Sequence, residues 1–485
     1  MNKSHYSEWE PVIGLEIHVQ LNTRSKMFSQ EPNQFGDEPN VNIGYFDTGQ
    51  PGALPVINCE AVKKAVNFGL AVGSKINEES IFDRKSYFYP DCPMNYQITQ
   101  FYKPIIIGGE ITTEVEGKIK TFKIEHAHLE NDAGKLIHFP KFTGVDFNRS
   151  GAPLLEIVST PCMFSPKDAS AYAQAVKAIM EYIDSSNCNM QDGQLRMDAN
   201  VSVRRKGEHT LRNKTELKNM NSFFNMELAI EAEIIRQIDF YTQNPDKHIE
   251  SGTYRFDLEK QKTILMRKKE SADDYRYFPE PDLPPLIITQ EYINHLRREL
   301  PELPKERFNR YITSLCLTEY NASLLVNDKK LSDMFEEGCK ICNNASHLCN
   351  WITVEFMGRI KDTGKSLSEI GIQITDIAAL VNLINDKIIT GKIGKMVADD
   401  MVKNPGTSPQ TIIDANPNYK PMRDTKVVED IVDRIIQENP ETIDDYKNGK
   451  EKAFQFLVGQ VMKATKGKAP PDYVRDYLIE KLKSL

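Results

Sequence analysis

Residues 11–21 read Pro11-Val12-Ile13-Gly14-Leu15-Glu16-Ile17-His18-Val19-Gln20-Leu21, and the alternation is strict. Successive side chains of a β-strand point to opposite faces, so Ile13, Leu15, Ile17, Val19 and Leu21 form an apolar face and Gly14, Glu16, His18 and Gln20 a polar one. A strand with one side so uniformly apolar predicts a sheet that covers a core with one face and turns the other to solvent or ligand. Glu16 and His18 project in parallel about 7 Å apart, close enough to share one cation or its bound waters. A merely solvated face is the plain alternative, unless other segments repeat the pattern.

Three do. In Ala127-His128-Leu129-Glu130, apolar residues again alternate with a candidate ligand pair. In Pro153-Leu154-Leu155-Glu156-Ile157-Val158, Glu156 interrupts an apolar run, where an ionised carboxylate costs several kcal/mol unless a cation or hydrogen-bond donors compensate it, roughly as for any charge taken from water. The third is a hairpin. Leu195, Met197, Ala199, Val201 and Val203 face one way and Arg196, Asp198, Asn200 and Ser202 the other, with a turn at Lys206-Gly207-Glu208. The returning strand is expected to carry Arg212, Lys214, Glu216 and Lys218 on one face, acids for a metal and bases for phosphate oxygens. A surface ladder of ion pairs would read the same way.

Together Glu16, His18, Glu130, Glu156 and Asp198 supply four carboxylates and one imidazole from four strands of an expected antiparallel sheet. Oxygen-rich ligation suits Mg²⁺, which keeps some waters and bridges to ATP phosphates, whereas zinc favours His and Cys. No ordinary phosphate-binding loop is present. Gly358 to Ser366 has five residues between its glycines where such a loop has four, and it lies in a helical stretch rather than after a strand. If ATP binds, it is expected on the carboxylate-lined sheet.

The chain has 485 residues, enough for about three domains. Short strands and a few helices run to the proline cluster Pro279, Pro281, Pro284 and Pro285, and helical periodicity follows, as in Ile377, Leu380, Val381 and Ile384. The segment Asn404 to Pro409 breaks that pattern, which gives expected domains at 1–291, 292–405 and 406–485. The net charge of -8 excludes a generally basic nucleic-acid coat protein. Residues 446–485, however, hold nine Lys or Arg against four acids. Phe454, Leu457, Val458, Val461 and Met462 recur there at helical spacing, leaving Lys450, Lys452, Lys463, Lys466 and Lys468 as candidate phosphate contacts on a solvated side.

The eight cysteines are too scattered for a disulfide scaffold, and Cys339-x-x-Cys342 followed by His347 and Cys349 reads as helical core rather than a zinc knuckle. The N-terminus lacks the apolar core of a signal peptide, and no apolar run approaches the roughly 18 residues that span a bilayer. A cytoplasmic protein without a membrane partner is expected.

"VIGLEIHVQL" (Val12–Leu21), "FDRKSYFYPD" (Phe82–Asp91), "HLENDAGK" (His128–Lys135), "PLLEIVS" (Pro153–Ser159), "ELKNMNSF" (Glu216–Phe223), "DDYRYFPEPDLPPL" (Asp273–Leu286) and the run from Asp445 to Ala469 resemble the B subunits of glutamyl-tRNA(Gln)/aspartyl-tRNA(Asn) amidotransferases. The resemblance implies an α+β, glutamine-synthetase-like cradle domain, then an all-helical domain and a small helical YqeY-like tail that contacts tRNA. It implies ATP- and Mg²⁺-dependent phosphorylation of the side-chain carboxylate of misacylated Glu-tRNA(Gln) or Asp-tRNA(Asn), followed by amidation. The partners implied are an amidase-type A subunit that releases ammonia from glutamine and a small C subunit, in a heterotrimer.

By the same analogy His18, Glu130 and Glu156 are the leading metal ligands, Glu16 and Asp198 serve a second ion, and Arg196, Lys214 and Lys218 neighbour phosphate. Lys85 is placed on the ammonia route. Many relatives carry an acid where this chain has Asn131 and a Lys near Met94, so the channel implied here is less charged. The rival readings are a stand-alone acid–ammonia ligase, against which the basic tail argues, and a non-catalytic tRNA-binding scaffold.

Overall fold

The structure, a computed structural model, describes residues 5–268, 272–363, 365–419, 425–447, 450–465 and 467–484. The chain divides into two compact units, 1–304 and 305–485.

The first unit is organised by β1 (Trp9–Gln20), whose alternation is realised in full: Ile13, Leu15, Ile17, Val19 and Leu21 are at most 1 % exposed. In chain order there follow helix α1 (Cys59–Ala71), strands β2 (Asp83–Ser86), β3 (Tyr96–Thr99), β4 (Lys118–Asn131) and β5 (Pro153–Ser159), and helix α2 (Pro166–Tyr182). Then come β6 (Leu195–Arg205), β7 (Thr215–Met220), helix α3 (Phe223–Gln243), β8 (Gly252–Asp257), β9 (Lys262–Lys268), β10 (Phe278–Pro279) and helix α4 (Gln290–Glu299). The main sheet runs in the order β9-β8-β7-β6-β1-β5-β4 and continues past β4 through Ile106–Ile107 and Lys75–Ile76. It is antiparallel except where β7 and β8 run parallel, so the expected all-antiparallel sheet is corrected to a mixed one. The parallel pair is possible because α3 carries the chain back between the two strands.

Helices α2 and α3 pack on the apolar face, and each starts on a serine whose hydroxyl accepts a main-chain N–H: Ser165 from Asp168, Ser222 from Asn225. A separate small sheet, β10-β2-β3, holds the segments that follow Ser86 and Thr99 beside the segment that precedes Phe278. Ile293 and Leu296 of α4 are buried in the same core, so this compact unit runs past the proline cluster to Pro304.

The second unit is helical and has two cores. One gathers Tyr311, Phe335, Trp351, Leu380 and Val397, and extends to Ile412, Ile413 and Tyr419. The other gathers Val428, Val432, Leu457, Val461, Val474 and Leu478. Cys342 and Cys349 are buried in the first of these, and His347 is occupied at both nitrogens, by Asn385 at 2.6 Å and by the Trp351 indole N–H at 3.0 Å. A metal there would have to break both bonds, in keeping with helical core. Among the described residues no helix is long and apolar enough to cross a membrane.

Candidate active site

The cross-strand register assembles the site. His18 on β1 stands opposite Glu156 on β5 and opposite Arg196 on β6, and Glu16 stands opposite Asp198. One strand further out, Glu156 pairs with His128 and Leu154 with Glu130. The polar residues of four strands thus share one face, where residues directly opposite lie about 5 Å apart.

Two clusters result. In the first, ligand atoms of His18, Glu130 and Glu156 all lie within 4.8 Å of one another. His18 Nε2 is 3.3 Å from Glu156 Oε2 and 3.7 Å from Glu130 Oε1. His128 Nε2 adds contacts of 3.4 Å to Glu156 and 3.9 Å to Glu130. Burial opposes charge on His18, but the Glu156 and Glu130 carboxylates outweigh it and raise its pKa to about 8. The same balance takes His128 to about 10. Burial would raise Glu156, yet His18 and His128 hold its carboxyl well below the usual range. Two carboxylates forced together are thus compensated by imidazole, the arrangement a divalent cation would take over.

In the second cluster, atoms of Glu16, Asp198 and Glu216 likewise lie within 4.8 Å of one another. Asn200 Nδ2 donates to Glu16 at 2.8 Å, and Thr253 Oγ1 to Glu216 at 2.8 Å. Lys218 Nζ sits among them, 2.5 Å from Asp198 and 3.3 Å from Glu216. In the sequence Glu216 is only one charge of a mixed face; the Asn200–Glu216 register is what makes it a ligand candidate. His128, paired with Glu130 by alternation but left out of the five-residue ligand set, joins the first cluster, and Asp132 is missing from the expected phosphate set. Asp132 accepts from Arg196 at 2.6 Å, and Arg149 approaches it to 3.4 Å. Burial alone would raise the Asp132 carboxyl; Arg196 and Arg149 keep it low. Gly151, at φ +86°, permits the turn whose N–H donates to the Asp132 carbonyl, and a Cβ there would meet Asp47 Oδ1 at 2.3 Å.

A cavity of about 380 Å³ opens over the first cluster, lined by His18, Glu130, Asp132, Arg196, Asp198 and Lys218 on the sheet side. Lys85, Asn131 and Tyr275 also line it. Lys85 Nζ lies 4.9 Å from the Tyr275 ring, and although burial opposes its charge, Tyr277, Glu130 and Glu156 raise its pKa. Asn131 is fixed, accepting from the Ile98 N–H at 2.8 Å through Oδ1 and from Gln97 Nε2 at 2.8 Å through its carbonyl. Lys214 lies before β7 begins, not within it, and lines a second cavity of about 300 Å³ with Val12, Leu15, Glu16, Pro161 and Leu211. Polar Asn200 also borders that second cavity, its buried Oδ1 without a hydrogen-bond partner.

Comparison with known proteins agrees along the whole chain. A family model described as the GatB/GatE catalytic domain matches residues 11–294, and one described as the GatB domain matches 333–482. The B subunit of the aspartyl/glutamyl-tRNA(Asn/Gln) amidotransferase of Protochlamydia amoebophila is 55% identical over 99% of this chain and 98% of its own. That of Chlamydia pneumoniae is 54% identical over 98% and 99%. The chain belongs to the GatB/GatE family. The catalytic-domain match of this GatB/GatE chain ends at residue 294, beyond the proline cluster and inside α4, whose Ile293 is buried in the first core.

In the tail, Leu457 and Val461 are buried and Lys452 and Lys463 exposed, as helical spacing requires. Lys450 pairs with Asp445 at 2.8 Å, and Lys468 reaches the Pro417 carbonyl and Asn418 Oδ1 at 3.4 Å. Lys466 lies outside the described residues.

Proposed function

We propose that this chain is the activating subunit of a tRNA-dependent amidotransferase. ATP phosphorylates the side-chain carboxylate of a Glu or Asp esterified to the wrong tRNA, and ammonia attacks the acyl phosphate, forming the amide and releasing phosphate. The observation that carries this reading is the cluster of His18, Glu130 and Glu156, of which His18 and Glu130 line one cavity with Arg196 and Lys85. An octahedral Mg²⁺ with bonds of about 2.1 Å sets neighbouring ligands roughly 3 Å apart, and the contacts of 3.3 and 3.7 Å are close to that. Bound there, Mg²⁺ would offset the negative charge of the phosphoryl group during transfer.

The remaining work falls to the chain's own groups. Asp132 holds Arg196 by its NH2, leaving a buried, unpartnered Nε–H to donate to a phosphate oxygen. Glu16, Asp198 and Glu216 form the complement for a second ion, with Lys218 as their counter-charge. The second cavity, apolar at Val12, Leu15, Pro161 and Leu211 and adjoining Glu16, suits the nucleoside of ATP, with Asn200 Oδ1 as an acceptor and Lys214 at its edge. Lys85 and Asn131 line the side from which ammonia would enter.

The wider plan of the reading is a cradle-like catalytic region, a helical region and a tRNA-binding tail, in a cytoplasmic assembly with an amidase-type A subunit and a small C subunit. Labelled ATP with the purified complex and charged tRNA tests it. Phosphate release that requires misacylated tRNA is expected. Release without tRNA would point to a free-standing ligase and no release to a scaffold, and either would overturn the proposal.

A further inference from the structure

Beside the metal-binding face, the small sheet β10-β2-β3 carries an aromatic corner that the chemistry above does not use. Phe101 stacks on Tyr277 with ring centroids 4.1 Å apart and planes 11° from parallel. Tyr102 meets Phe101 edge-on, at 5.1 Å and 84°. Burial favours aromatic rings, yet Phe101 remains 50% and Tyr102 58% exposed. One face of the Phe101 ring is occupied by Tyr277, so its accessible half is a flat apolar face with Tyr102 standing as a wall at its edge.

The corner is built rigidly. The wholly buried Asp83 accepts both main-chain N–H groups, from Phe101 at 2.8 Å and from Tyr102 at 3.0 Å. The Tyr102 hydroxyl donates to the Tyr277 carbonyl at 3.3 Å. Exposed Arg276 lies between Tyr275 and Tyr277 in the chain, with Tyr275 lining the main cavity. Lys85, on the same strand as Asp83, lines that cavity and holds its Nζ 4.9 Å from the Tyr275 ring, so the stack stands next to the cavity.

A flat aromatic face next to a site that must receive one end of a single-stranded nucleic acid matches the platforms on which unpaired bases stack. We propose that Phe101 and Tyr102 seat the terminal nucleobase of the unpaired 3′ end of the aminoacyl-tRNA. This rests on the reading that the substrate is an aminoacyl-tRNA. In that substrate a single ribose joins the terminal base to the ester, so a base held at the corner places the amino-acid side chain towards the metal-binding face. A partner-protein surface would also cover exposed aromatics, but it would not need a preformed parallel stack anchored by Asp83 on the strand whose Lys85 lines the reaction cavity.

The test uses the whole complex and misacylated tRNA carrying 2-aminopurine at its terminal position. Wild-type complex should quench the fluorophore by stacking. Phe101→Ala and Phe101→Leu should abolish the quenching and raise the KM for charged tRNA about tenfold, the scale of losing one base–aromatic stack. Phe101→Trp should restore both. Phe101→Leu keeps an apolar side chain on Tyr277, so it remains informative if Phe101→Ala folds poorly. Undiminished quenching in both variants, or no quenching by wild type, overturns the proposal. So does dissociation of the complex with normal quenching in the intact fraction, which would make the corner a subunit interface. Amidation by wild type is measured in parallel: its absence would sink the amidotransferase reading itself, whereas amidation without quenching would sink only the stacking seat.

Discussion

His18 and Glu156 face each other across adjacent strands of the main sheet, Nε2 to Oε2 at 3.3 Å, with Glu130 closing the triangle. Removing the imidazole leaves two carboxylates of like charge with His128 as their nearest cation. We expect His18→Ala, and likewise Glu156→Gln, to lower tRNA-dependent amidation by at least about a hundredfold, the scale of deleting a group that stabilises transition-state charge. Glutamine hydrolysis by the partner subunit should survive. Amidation at the wild-type rate in either variant would refute the assignment.

Arg196 lines the cavity, is held by Asp132 and has a buried Nε–H without a hydrogen-bond partner. Lysine keeps the charge but not the fork, so Arg196→Lys should raise the KM for ATP roughly ten- to a hundredfold, the worth of one charge-assisted hydrogen bond. Steady-state kinetics with varied ATP measures it, and an unchanged KM would remove Arg196 from the phosphate site.

Anything that binds the folded state alone stabilises it by mass action. Mg²⁺ at a hundred times its Kd should therefore add about 2.7 kcal/mol to the N-terminal unit, seen as a higher melting temperature that EDTA reverses. Glu130→Gln should lose most of that increment. A variant that keeps it would place the ion elsewhere.

Behind the sheet, Glu233 is wholly buried and accepts from Thr215, Thr263, Gln237 and the Nε and one NH2 of Arg236 at 2.6 to 2.9 Å. Burial would raise its pKa, but Arg236 and these donors take it below the ordinary 4.5. The folded state therefore prefers the ionised form, so the stabilisation is present above pH 4.5 and is lost as pH falls from there through the depressed value. Glu233→Gln should cost about 1 to 3 kcal/mol near neutrality and progressively less in acid. Denaturant melts at pH 7 and pH 3.5 compare the two, and an equal loss at both would contradict the ionised network.

Local pattern determined a good deal of this molecule. The two-residue period of Ile13 to Leu21 specified which face of β1 is buried, because a strand whose odd positions are all aliphatic has only one stable way to lie on a core. The same period put Glu16 with His18 and His128 with Glu130, and the three- and four-residue spacing of Leu457 and Val461 did likewise for the tail helix. What pattern could not supply was register between strands distant in the chain. Glu216 became a ligand candidate because Asn200 stands opposite it, Lys218 was absorbed into an ion pair with Asp198, and Lys214 fell in a loop beside another cavity. The parallel β7–β8 pair and the Phe101–Tyr277 stack have the same origin. Side-chain alternation is a property of one strand, whereas pairing is a choice among strands made by the packing of the whole sheet.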